Sequence, residues 1–243
     1  MALRWRPAVV WRCIAVLAIL FLASCESVTE EGNGNGGDDR QDVYDVDTLG
    51  VPRFVAFNHI DLNQVYRMSR FRSAVGHDYS DDFESCRSMK HYFQPRAGVD
   101  WSAVTLTAPV AGSITRVEEE WAGQRVEIQS DEYPAFRFIL FHVSPFQPLQ
   151  VGDTVAAGQV LGTHIGSQTN SDIAVGVTTP GGWKLVSFLE TLTDAAFAAY
   201  INRGLGSRGA AIITRAQRDA DPLTCSGETI LTRGHLADWI VFH

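Results

Sequence analysis

The chain has 243 residues, 45% of them hydrophobic and 10% aromatic, which is enough for one sizeable folded domain or two small ones. A formal net charge of −8 argues against a nucleic-acid partner, which needs a basic face. The same charge gives the chain no electrostatic reason to adhere to anionic lipid.

Taken in chain order, the first element has three parts. Arg4, Arg6 and Arg12 form a positive start, and Cys13 to Phe21 is an apolar run too short to span a bilayer comfortably. Leu22-Ala23-Ser24 then leads into Cys25. This order resembles the bacterial lipoprotein signal, over an ordinary secretory peptide or an uncleaved anchor helix. The resemblance implies cleavage after residue 24, lipidation of Cys25 and a membrane contact made by acyl chains. It places the protein outside the cytoplasm, lipid-anchored to the bacterial cell envelope, at the outer membrane facing the periplasm or at the cell surface. Without the three arginines the net charge moves from −8 to −11.

Residues 25–50 read as the lipidated cysteine followed by a flexible acidic linker. Glu30-Glu31-Gly32-Asn33-Gly34-Asn35-Gly36-Gly37-Asp38-Asp39 offers almost nothing to bury. Residues 51–190 read as a β domain. Asp61 to Met68 opens it as a short helix with Leu62, Val65 and Tyr66 on one side. Alternating runs follow at 104–107, 113–117, 125–129 and 137–141, with further strands at 172–177 and 183–186. Pro109, Gly123, Pro134, Gly152 and Gly158 punctuate them.

Residues 191–243 read as a helical C-terminal extension packed on the domain. Thr193 caps a helix stopped by Gly204, a second helix runs near Arg215 to Ala220, and Leu236 to Phe242 is apolar enough to dock. The expected fold class is mainly β, an antiparallel barrel-sandwich domain with that extension. With Cys13 in the signal and Cys25 lipidated, Cys86 and Cys225 remain, an even pair in an oxidising compartment. They read as a disulfide in preference to two buried thiols.

Reactive side chains concentrate between Gly76 and Tyr92, where His77 and Asp81 stand as H-x-x-x-D. An imidazole and a carboxylate on one turn can share a divalent metal. Downstream come Ala108-Pro109-Val110-Ala111-Gly112, then Phe141-His142-Val143-Ser144, then Val151-Gly152-Asp153-Thr154-Val155 continuing to Gly158-Gln159-Val160-Leu161-Gly162. Over residues 77–177 this series resembles the lysostaphin or LytM-type zinc metallopeptidases, a duplicated hybrid motif whose β domain cuts peptidoglycan cross-bridges. The V-G-D block is shared with biotinyl/lipoyl-type barrel-sandwich domains.

The resemblance implies His77 and Asp81 as two zinc ligands and His142 as the residue assisting the bound water. Its last motif, H-x-H, falls on Asp172-Ile173-Ala174, so Ala174 stands where the third zinc ligand belongs. Strand alternation puts residues 172 and 174 on one face, which keeps Asp172 aimed at the site as a substitute ligand or catalytic carboxylate. His91 and His164 are further candidates without a spacing that favours them. Lys90, Arg87 and Arg72 read as partners for the local acids.

Three readings follow. In the first, an envelope lipoprotein with a non-hydrolytic or atypical peptidase-like domain binds cell-wall peptide, glycan or a partner protein. In the second, a zinc endopeptidase uses His77, Asp81 and Asp172 as ligands, with His142 assisting. In the third, the domain is a structural barrel-sandwich adaptor. Trp101, Trp121 and Trp183 can serve either as core or as a carbohydrate-stacking face. No nucleophile elbow, phosphate loop, dinucleotide fingerprint or lipoyl lysine is present in the sequence.

Overall fold

The computed structural model describes residues 42–243, so the signal segment, Cys25 and the glycine-rich run lie outside the described residues. Packing starts inside the stretch that composition assigned to the linker. Tyr44 N–H donates to the Thr178 carbonyl at 2.9 Å, and the Tyr44 ring meets Tyr133 and Phe136 edge-on. A short helix α1 (Val46–Leu49) follows, capped by the Asp45 side chain, which accepts from the N–H groups of Asp47 and Thr48.

The expected helix over Asp61 to Met68 does not form. Leu62–Gln64 makes a single 3₁₀ turn, and strand β1 (Val65–Ser69) begins directly after it. Leu62, Val65 and Met68 are spaced for a helix. However, pairing with β2 (His91–Pro95) and with a strand from the far end of the chain satisfies the backbone of this segment.

The remaining strands are β3 (Thr105–Thr107), β4 (Gly112–Glu119), β5 (Gln124–Ser130), β6 (Phe136–Pro145), β7 (Thr154–Val155), β8 (Val160–His164), β9 (Ser171–Thr179) and β10 (Gly182–Val186). The C-terminal part holds α2 (Phe188–Thr191), α3 (Asp194–Ile201), α4 (Arg215–Ala220), β11 (Cys225–Ser226), β12 (Thr229–Ile230) and β13 (Trp239–Val241). The fold is mainly β, and the strand pairs are antiparallel.

Among the described residues the main sheet runs β13-β1-β2-β9-β6-β5-β4-β7, with β10 beside β9 and β8 joining β3 to β6. Thr193 caps α3 through Ala196 N–H, and Gly204 follows it at φ +94°, a left-handed position that glycine adopts without strain. The tail docks by adding β13 to β1, which seats Phe242 in the core.

β6 and β9 are buried on both faces. Phe136, Phe138, Leu140, Ile173 and Val175 face the main core, while Ile139, Phe141 and Ala174 belong to a smaller cluster with Phe71, Met89 and Leu185 on the other side. Double burial explains why these two strands read as nearly continuous apolar runs. Each fully buried Phe or Leu contributes roughly 1.5–3 kcal/mol.

Cys86 and Cys225 are joined by a disulfide across 139 positions. The bond ties the loop before β2 to the β11–β12 hairpin. Chain-entropy arithmetic makes so long a cross-link worth about 5 kcal/mol. Replacing both cysteines by serine should therefore lower unfolding free energy by roughly 3–5 kcal/mol in a urea titration. An unchanged midpoint would refute that role.

Four histidines are buried among the described residues: His59, His91, His142 and His164. Burial lowers the pKa of His59 to about 3 and those of His91 and His164 to about 4, against 6.5 in an unfolded chain. The unfolded chain therefore takes up protons first as pH falls. The stability these neutral rings allow is complete above pH 6.5 and drains away below it, down to about pH 4 for His91 and His164 and about pH 3 for His59. Melting temperatures should fall markedly from about pH 7 to about pH 5. A flat profile over that window would contradict the assignment.

Candidate functional site

The site forms where β6 changes partners. Up to Leu140 this strand pairs with β9, and from Val143 it pairs with β8. His142 sits at the switch with φ +62°, a left-handed conformation that costs a non-glycine residue about 1–3 kcal/mol. The Nδ1–H of His142 bonds the Ala122 carbonyl at 2.8 Å, which anchors the ring to the β4–β5 turn. Gly123 permits that approach, because a Cβ there would lie 2.9 Å from the Val143 carbonyl oxygen. The same turn carries Trp121, whose ring stands 5.9 Å from that of His142.

His142 Nε2 points at Asp172 Oδ1, 3.3 Å away. Asp172 is fully buried on β9 opposite Tyr92 of β2, and its other oxygen lies 2.5 Å from Lys90 Nζ. Lys90 is only 2% exposed. Its ammonium sits 3.8 Å from the centroid of the Phe141 ring, 4.8 Å from Tyr79 and 5.0 Å from Tyr92, inside an aromatic cage. Burial by itself would depress the Lys90 pKa. The Asp172 charge and hydrogen bond, helped by the Tyr92 and Tyr79 phenols, overcome that and leave it above the ordinary lysine value. The ammonium thus stays charged throughout the physiological range. Burial also raises the Tyr79 pKa, to about 12, so its phenol stays protonated in that range.

His77 closes the chain of contacts. Its Nδ1 lies 2.9 Å from the Asp78 carbonyl and donates there, which leaves Nε2 to accept from Lys90 Nζ at 3.3 Å. The sequence-named residues therefore divide. His142 and Asp172 are in contact, and His77 joins them through Lys90. Asp81 faces elsewhere. Its Oδ1 accepts from Phe83 N–H and Glu84 N–H, and its Oδ2 accepts from Leu185 N–H, all at 3.0 Å. These bonds staple the loop to β10. His91 bonds the Ser69 carbonyl and the Ser187 hydroxyl inside the core, and His164 Nδ1 accepts from Gly166 N–H.

Zinc does not fit these side chains. Among the described residues no group of three or more His, Cys, Asp or Glu is arranged to hold a metal ion. The cation between His77 and Asp172 is the chain's own ammonium, and Ala174 lies in the apolar cluster beside Phe141. Arg72 and Arg87 both pair with Glu84, at 2.7 Å each. What sequence reasoning missed is which acid Lys90 meets. The only available signal was its placement two residues before Tyr92, on the same side of the coming strand.

A cleft of about 930 Å³ opens above this cluster. Lys90, His77 and His142 line its floor, Trp121 and Glu120 stand on one lip, and the Ser167–Asn170 loop forms another. Burial raises the Glu120 pKa, and its Oε2 lies 3.9 Å from His142 Nδ1, beyond hydrogen-bond reach.

No family model matches the chain, and no curated protein matches it. Solved structures do. A glycyl-glycine endopeptidase LytM from Ruminococcus gnavus is 15% identical over 45% of this chain and 46% of its own, with a TM-score of 0.36. The SpoIIQ–SpoIIIAH pore-forming complex is 16% identical over 61% of this chain and 96% of the other, at 0.40. The catalytic domain of lysostaphin from Staphylococcus simulans is 18% identical over 49% and 84%, at 0.34. These scores are low, and this chain spans less than half of the first relative's length.

The Lys90–Asp172 pair has a measurable signature. Asp172→Asn leaves a caged ammonium without its counter-charge and should cost about 3–5 kcal/mol in denaturant unfolding. The equally short but exposed Lys184–Asp47 pair, at 2.5 Å, should cost under about 1 kcal/mol when Lys184 is replaced by Ala. Equal losses in the two variants would overturn the distinction.

Proposed function

We propose that this protein is an envelope lipoprotein whose peptidase-like β domain binds cell-wall material in its cleft and does not hydrolyse it. One observation carries the reading: the Lys90 ammonium lies between His77 and Asp172, where the motif resemblance calls for zinc. A metallopeptidase needs three protein ligands and an open position for water. Here Ala174 supplies no ligand, Asp81 spends both oxygens on backbone N–H groups, and Lys90 repels a second cation. The domain then keeps the cleft and loses the chemistry. The arginine-rich start, the apolar run and Cys25 support export and lipid anchoring, with the acidic glycine-rich stretch as a tether.

The test uses the purified chain with isolated peptidoglycan sacculi. The protein should pellet with sacculi, release no soluble fragments and behave identically with and without a chelator. About one tightly held zinc per chain, together with chelator-sensitive release of fragments, would overturn the reading.

A further inference from the structure

The cleft has the fittings of a sugar site. Trp121 is 77% exposed at the tip of the β4–β5 turn and lines the cleft. An indole held out in water beside a cleft leaves a large flat apolar face available to a ligand. Of the other two tryptophans considered from sequence, one is buried and the other is half-buried and packed on a strand. Trp101 is 2% exposed, and Trp183 lies flat over Gly176 with ring atoms where a Cβ would sit.

Around the displayed ring the cleft carries hydroxyls and amides, cations that are already paired, and the carboxylates of Glu120 and Glu228. Ser167, Gln168, Thr169 and Asn170 also line the cleft, all hydroxyls and amides. Trp101 Nε1, buried in the cleft wall, has no hydrogen-bond partner among the described residues and needs an acceptor. Glu120 offers an acceptor beside the platform. The cations are not free: Asp172 neutralises Lys90, and Arg125 reaches both Glu118 and Glu127. A ligand carboxylate or phosphate would find no unpaired positive charge. A glycine-rich peptide has no face to lay on an indole. A pyranose has a flat C–H face and a rim of hydroxyls, each both donor and acceptor.

We infer that the cleft binds a neutral saccharide, with Trp121 as its stacking platform and Glu120, Gln168 and Asn170 as partners for its hydroxyls. The inference rests on the binding reading above and names the ligand class.

The experiment titrates the full chain with a tetramer of N-acetylglucosamine and, separately, with pentaglycine, by calorimetry and tryptophan fluorescence. The saccharide should bind and perturb the tryptophan emission. Trp121→Ala should weaken binding about tenfold or more, whereas Trp121→Phe, which keeps a flat ring, should retain most of it. Because Trp121 touches little of the core, both variants should melt like the parent. Saccharide binding indifferent to Trp121→Ala would overturn the inference, as would binding of pentaglycine alone or of neither probe. Protein that pellets with sacculi yet ignores the tetramer would sink the saccharide assignment alone. Zinc-dependent cleavage would sink the binding reading beneath it.

Discussion

The ion pair between Lys90 and Asp172 is the constraint around which the rest of the site is arranged. Two unit charges out of water are tolerable only when each is matched, and here the matching is done by several elements at once. Asp172 comes from β9, Lys90 from the start of β2, the cage from Phe141 of β6 and Tyr79 of the preceding loop. His77 accepts from Lys90 at one end of the pair, and His142 Nε2 lies 3.3 Å from Asp172 at the other. The result is a fixed polar bar set into the apolar cluster on the outer side of the sheet. It excludes a second cation by charge and by space, so the floor of the cleft presents a charge that is already neutralised.

That bar depends on how the sheet is built. β6 has to leave β9 at His142, and the left-handed backbone there is the visible cost. The β4–β5 turn holds the bend in place through the Ala122 carbonyl and the glycine beside it. In doing so the turn also carries Trp121 over the floor. One local device therefore does two things: it aims an imidazole inward at Asp172 and holds an indole outward at the lip.

The loop from residue 77 to residue 88 is the other half of the support. Asp78 gathers the N–H groups of Cys86 and Arg87, Asp81 and Asp82 fasten the loop to β10, and Glu84 lies between two arginines. A segment so rich in acids reads from sequence as a metal loop. In the fold its carboxylates are consumed in backbone bonds and ion pairs, and the disulfide locks the loop to the C-terminal hairpin. Acid density alone does not distinguish a ligand from a staple. What separates them is whether the oxygens find N–H groups nearby, and that depends on which strand lies alongside.

Much of this molecule was legible in the chain itself. Local chemistry marks the alternating strands, the Thr193 cap, the helix at Arg215–Ala220 and the cysteine pair, because period, capping residues and counting act over a few positions or follow from compartment. The alanine at position 174 and the shared face of residues 172 and 174 were equally readable. Tertiary structure alone decided three things: that Val65–Ser69 is a strand between β2 and the chain's last strand, that Asp81 belongs to β10, and that Lys90 answers Asp172. The physical reason is the same in each case. Each of these outcomes rests on at least one partner some 80 to 170 positions away, and no short-range pattern encodes which distant backbone or charge will be adjacent.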